Sequence, residues 1–174
     1  MTELHPTKGR LLIADPSILN DKSFNRSVIL LTEHNKTGSI GFIMNKPMSY
    51  VVSDLVPEIN CDFPVYNGGP VSQENLYFIH NIPDLIPNSI KITAGIYWGG
   101  DFDFVTELLI NKKIKSSDIR FFLGYSGWEA NQLSEELSDD SSWLVAENRY
   151  SNILTTNSSI FFLGSRFGHT WYSS

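Results

Sequence analysis

The segment that most constrains this chain is Arg120–Trp128, RFFLGYSGW, followed at once by Glu129-Ala-Asn-Gln-Leu133. Ile119–Leu123 holds four large apolar residues around one arginine. A run this short, apolar on both sides, reads as a buried strand. Gly124 and Gly127 bracket Tyr125 and Ser126, and glycines at the end of an apolar run predict a tight turn. Gly127 is expected to supply a positive φ before a helix over about residues 129–138, where Ala130, Leu133 and Leu137 recur on one face. The expectation is a strand, a glycine-flanked turn and a helix, with Tyr125 and Trp128 at the joint.

Similar punctuation divides the rest of the chain. Residues 1–8 read as a loose tail, and Leu11–Ala14 as a short strand ended by Asp15-Pro16. Ser27–Thr32 is rich in β-branched and aliphatic residues, His34–Gly38 supplies turn chemistry, and Ser39–Met44 returns as the second arm of a hairpin. Asn45-Lys-Pro47 breaks that strand, and Ser49–Leu55 reads as a short helix closed by Pro57. Pro64–Tyr66 is a brief strand before the turn Asn67-Gly-Gly-Pro70. Leu76–His80 and Ile90–Tyr97 read as strands, and residues 103–112 as a helix capped by Asp101 or Asp103. Trp143–Ala146 is the final strand, and Ser159–Arg166 reads as a helix. About seven strands with scattered helices do not alternate as βαβ units do. The expected class is α+β, with a mixed, largely antiparallel sheet curled into a partial barrel.

Length and charge narrow the function classes. At 174 residues the chain is expected to form a single domain. A net charge of −6 repels phosphate backbones, and no basic stripe or helix-turn-helix pattern offsets it, so direct nucleic-acid contact is not expected. The densest basic cluster, Lys112, Lys113 and Lys115, follows a predicted helix and suits its C-terminal dipole. A single cysteine, Cys61, excludes an internal disulfide and a cysteine-based zinc site. Neither a signal peptide nor an apolar run long enough for a membrane helix is evident, so a cytoplasmic location is expected.

The candidate chemistry is sparse. Gly124-Tyr-Ser-Gly-Trp128 invites comparison with a G-x-S-x-G nucleophile elbow, but Trp128 stands where the second small residue is required. Asn67-Gly-Gly-Pro70 could present backbone N–H groups to an anion, although Pro70 removes one donor and a structural turn accounts for it. His5, His34, His80 and His169 lack metal-ligand spacing. Asp101 and Asp103 are explained by capping, and Glu135, Glu136, Asp139 and Asp140 by a solvated face. Tyr97, Trp98, Tyr125 and Trp128, next to glycines, suit either a pocket floor or a core plug.

Taken in order, these motifs resemble the YqgE/AlgH family. Gly9–Pro16, Phe24–Val28 and Glu33-His34 resemble its opening; Gly38–Gly41, Asn45–Pro47, Gly68–Val71 and His80 continue it. Arg120–Trp128, Gln132-Leu133, Glu136 and Trp143 complete a resemblance running from about residue 9 to 146, with residues 147–174 divergent. The resemblance implies a bifurcated sheet folded into a pseudo-barrel with flanking helices. It implies no established activity; some members carry a transcriptional-regulator label tied to alginate production. In the family the position of Ser126 is commonly alanine, which argues against a serine nucleophile. Function is therefore expected to be that of a non-enzymatic binding or regulatory module, with no cofactor and no metal and with a protein or small-molecule partner. The alternatives are a hydrolase or transferase with His34 or His80 as general base, and a regulator acting indirectly rather than on DNA. The residues expected to form a ligand site are His34, Asn45, Gly68, Gly69, His80, Tyr125 and Trp128.

Overall fold

The computed structural model describes residues 4–14, 26–138, 143–150 and 152–156. Strand β1 (Leu11–Ala14) lies between β10 (Trp143–Ala146) and β2 (Val28–Asn35), and β2 turns into β3 (Gly38–Ile43). β1 and the first half of β2 are apolar without alternation because both faces are covered. Leu11, Ile13, Val28 and Leu30 enter one core with Phe42 and Phe122, while Leu12, Ile29 and Leu31 enter a second core with Trp128, Leu133 and Trp143. A third core joins Phe121, Phe78 and Val65 to Val105 and Leu109 of α2 (Phe102–Ile110).

The pivot of the fold is β9 (Ile119–Glu129), which contains the whole RFFLGYSGW segment. The expected turn at residues 124–128 is absent: the chain stays extended to Glu129, and α3 begins only at Gln132 (Gln132–Ser138). The glycines serve another purpose. Residues 121–123 of β9 pair in parallel with β5 (Pro64–Asn67), whereas residues 126–129 pair antiparallel with β3. On its other edge β9 is antiparallel to β6 (Val71–His80). Gly124, with φ +74, stands where the strand changes partner, and a Cβ there would lie 2.4 Å from the Gly69 carbonyl oxygen. Gly127 does not take a positive φ; before α3 that conformation belongs to Asn131, with φ 66. The entry to α3 is closed by Gln132, whose Oε1 accepts from the Glu129 N–H at 2.9 Å.

The sheet is thus bifurcated at β9: its main path runs β10-β1-β2-β3-β9-β6 and on through β8 (Ile96–Trp98) to β7 (Ile90–Thr93), with β4 (Pro47–Val51) and β5 on the branch. Pairing is antiparallel except for β5 with β9. The terminal strands β10 and β7 are not hydrogen-bonded to each other, so the sheet does not close into a barrel. Two expected elements split. Ser49–Leu55 becomes edge strand β4 (Pro47–Val51) and a single turn, α1 (Val52–Leu55). Ile90–Tyr97 becomes β7 (Ile90–Thr93) and β8 (Ile96–Trp98), because Gly95, with φ +79, turns the chain back on itself. Asp101 caps α2 by accepting from the Asp103 N–H at 3.0 Å. The helix expected over 159–166 lies outside the described residues.

Candidate functional site

A cleft of about 750 Å³ opens over the last residues of β9, where Tyr125, Gly127 and Trp128 meet β3, Val71 and Gln132. Register explains it. Across β2, β3 and β9, Glu33 pairs with Ile40 and Ile40 with Gly127, while His34 pairs with Ser39 and Ser39 with Trp128. Cross-strand partners share a face. The first row and Glu129 face solvent; the second row is turned toward the core, with Ser39 and Trp128 buried. Gly127 gives the open row a bare floor, and Tyr125 rises beside it: a Cβ on Gly127 would meet the Tyr125 ring at 3.3 Å. Tyr125 is half-buried and held edge-on against Tyr77, centroids 5.7 Å apart at 88°.

Tyr125 and Trp128 therefore share the cleft, but in different ways. Trp128 is only 6% exposed and packs edge-on to Trp143 at 6.0 Å, so most of it is core. Gly68 and Gly69 stand behind the cleft rather than in it. A Cβ on Gly69 would lie 2.2 Å from the Tyr125 carbonyl, and one on Gly68 2.3 Å from the Gly124 oxygen. Only glycine permits that backbone approach. Ser126 is fully buried and its hydroxyl donates to the Gly68 carbonyl at 3.1 Å, a packing bond between the two glycine segments.

The remaining residues fall elsewhere. His34 Nδ1 is 2.6 Å from the Ser39 hydroxyl on the inward row, adjoining the cleft from below. Asn45 is a clamp between strands: its Oδ1 accepts from the Val28 N–H at 3.0 Å and its Nδ2 donates to the Arg26 carbonyl at 2.9 Å. His80, fully buried at the end of β6, pairs with Ile119 at the opposite end of β9 from the cleft. The Ile82 N–H donates to its Nδ1 at 3.2 Å, which leaves Nε2–H to donate to the Gly99 carbonyl at 3.1 Å. That neutral ring is consistent with burial lowering its pKa below the usual 6.5. Both ring nitrogens are committed to backbone, so His80 is a structural histidine and does not converge with His34.

What the cleft can do chemically follows from its lining. Two carboxylates, Glu33 and Glu129, and the neutral polar groups of Thr37 and Gln132 surround an aromatic and aliphatic wall of Tyr125, Val71 and Ile40. Among the described residues no cluster of His, Cys, Asp or Glu could hold a metal ion, and no helix is long and apolar enough to cross a membrane. Sequence reasoning missed Glu33, Ile40 and Gln132. Their signal was weak, because the pairing of β2 with β3 shifts between Leu31 and Glu33 and inverts which residues face the cleft.

Comparison with known proteins adds the family. A family model described as AlgH-like matches residues 11–162, further than the motifs alone reach. A UPF0301 protein of Bacteroides thetaiotaomicron is 42% identical over 149 residues, covering 83% of this chain and 74% of its own. A UPF0301 protein of Chlorobaculum tepidum is 39% identical over 148 residues, covering 84% and 78%. Among solved structures, the AlgH protein of Pseudomonas aeruginosa matches with a TM-score of 0.74 at 24% identity, over 98% of this chain and 90% of that one. A crystal structure of a Corynebacterium diphtheriae protein matches with a TM-score of 0.77 at 22% identity, over 97% and 90%. At such identities the likeness concerns the fold alone.

Proposed function

The chain belongs to the AlgH-like family, and from that premise we propose that it is a cytoplasmic, non-enzymatic binding module that recognises a partner through the cleft over Tyr125, Gly127 and Trp128. The observation that carries the reading is a cleft of about 750 Å³ with a bare glycine floor and an aromatic wall but no catalytic set. Sites of this kind present a few polar groups around apolar surface on a rigid scaffold. The other candidate polar groups are used up in packing: Ser126 beneath the cleft, and His80 and Asn45 away from it, all bond backbone groups. A regulatory role, as the label on some family members suggests, would then act through a bound protein or metabolite rather than through DNA, consistent with the net charge of −6.

A reading with His34 as general base draws on its 2.6 Å contact with Ser39. Yet Ser39 is only 4% exposed, and no carboxylate is hydrogen-bonded to His34 among the described residues. The binding reading is the better supported.

The test exploits the open row. Gly127→Leu fills the floor from an exposed position, and Tyr125→Ala removes the wall; Trp128→Ala is unsuitable because it opens the core. Ligand screening by protein NMR with a metabolite panel, and pull-downs with folded variants, should give binding by the wild type that both variants lose. Binding that survives Gly127→Leu unchanged would remove the cleft from consideration.

A further inference from the structure

Away from this cleft, Arg120 is the most unusual charge in the molecule. It is 6% exposed and is the second residue of β9. Its Nη1 donates to the Met44 carbonyl at 2.9 Å, and its Nη2 donates to the carbonyls of Leu154 and Thr156 at 2.9 and 3.0 Å. The guanidinium carbon lies 4.2 Å from the centroid of the Tyr66 ring. Among the described residues no carboxylate pairs with it. Carbonyl dipoles and an aromatic face solvate the cation, and among the described residues no negative charge neutralises it. Burial accordingly lowers its pKa from the ordinary arginine value. A buried charge without a counter-ion is costly to keep.

Two further observations point outward from Arg120. It lines a pocket of about 260 Å³ with Tyr66, Ser116, Ser117 and Thr155, and among the described residues no acidic side chain lines that pocket. A guanidinium carries five N–H donors; the three bonds above leave Nε–H and a second Nη1 hydrogen without an acceptor among the described residues. The loop that supplies both serines also carries Lys112, Lys113 and Lys115, the densest basic cluster in an acidic chain. Its shape is fixed from behind. The Ser117 carbonyl accepts from Asn81 Nδ2 at 3.5 Å and from Asn152 Nδ2 at 3.2 Å. Asp118, the nearby acid, spends one oxygen on the loop itself, accepting from the Lys115 N–H at 2.9 Å.

The geometry points to this pocket as a binding site for a phosphoryl group, free or carried by a small metabolite. Arg120 supplies a fixed cation with spare donors, Ser116 and Ser117 supply hydroxyls, and the lysines supply a field that raises local anion concentration. The site is separate from the Tyr125–Trp128 cleft, and neither proposal depends on the other.

Titration with inorganic phosphate, followed by NMR at constant ionic strength set with sodium chloride, tests it. The Arg120 Nε–H signal and the amides of Ser116, Ser117 and Thr155 should shift saturably at millimolar phosphate. A parallel titration with glycerol 3-phosphate separates the sources: tighter binding of the ester identifies a phosphorylated metabolite, equal or weaker binding the free anion. Because a charge-assisted hydrogen bond contributes about 1.5–3 kcal/mol, Arg120→Lys should weaken binding about tenfold or more. A Ser116→Ala/Ser117→Ala double variant, at exposed or half-exposed positions, should weaken it several-fold with the fold intact, and decides the matter if Arg120→Lys does not fold. Absence of saturable shifts in the wild type would overturn the proposal. So would unchanged affinity in the double variant, or shifts confined to residues 112–115.

Discussion

The two halves of β9 are one strand under two regimes. From Ile119 to Phe122 every residue is buried, with β5 on one edge and β6 on the other and apolar clusters on both faces. Phe121 enters the core beneath α2, while Phe122 enters the core shared with Phe42 and Tyr66. From Tyr125 to Glu129 burial alternates, with Ser126 and Trp128 inward and Gly127 and Glu129 outward. The same backbone thus serves as a structural spine in one half and as the wall of a cleft in the other. Partner exchange at Gly124 makes the difference, since beyond it β3 replaces β5 and one face is left open.

The contrast can be broken at four points, in descending order of expected effect. Phe122→Ala removes a fully buried ring whose centroid lies 5.0 Å from that of Phe42. Its loss should cost about 3–5 kcal/mol in urea unfolding, the range for buried aromatic truncations. A loss below about 1 kcal/mol would mean that the spine is not close-packed. Asn45→Ala removes the acceptor of the part-buried Val28 N–H and the donor to the exposed Arg26 carbonyl. It should cost about 1–3 kcal/mol by the same measurement, and a neutral result would remove Asn45's role as a clamp.

The third point concerns pH. His80 has its pKa lowered by burial, so the unfolded chain takes up a proton more readily than the native state. The stability that follows from a neutral His80 is fully present above the unfolded pKa of about 6.5 and is lost as pH falls toward the lower native value. Unfolding midpoints for wild type and His80→Gln should therefore diverge at neutral pH and draw together under mild acid. Parallel profiles would show that His80 is not held neutral. The smallest effect is expected from Gly127→Ala. Its φ is ordinary, and a Cβ there meets Val71 at 3.9 Å and the half-buried Tyr125 ring at 3.3 Å, an approach that a small shift of the ring relieves. A change within about 0.5 kcal/mol is expected. A larger loss would mean that the cleft floor is as tightly packed as the spine.

These positions also measure how far the sequence can be read. Leu11–Ala14, Pro64–Tyr66 and Trp143–Ala146 were legible as strands because short apolar runs between Gly, Pro and polar residues leave little alternative. The Asp101 cap was legible because its hydrogen bond is local. The joint at Gly124–Trp128 was misread, since glycines that mark a turn and glycines that admit a neighbouring backbone look alike in one dimension. Of the residues expected to share a site, Tyr125 and Trp128 line the cleft, His34, Gly68 and Gly69 back it, and Asn45 and His80 are packing elements elsewhere.

Sequence alone determined the α+β class, most strand positions and the family, all properties of local pattern and ordered motifs. Tertiary structure decided which face of each strand is open. That depends on register, and the shift between Leu31 and Glu33 sets which residues of β2 share a face with Ile40 of β3 and, through it, Gly127 of β9. Only the folded chain, likewise, could show that Arg120 in its apolar run is a buried cation met by the carbonyls of Met44, Leu154 and Thr156, because those partners lie 76, 34 and 36 residues away.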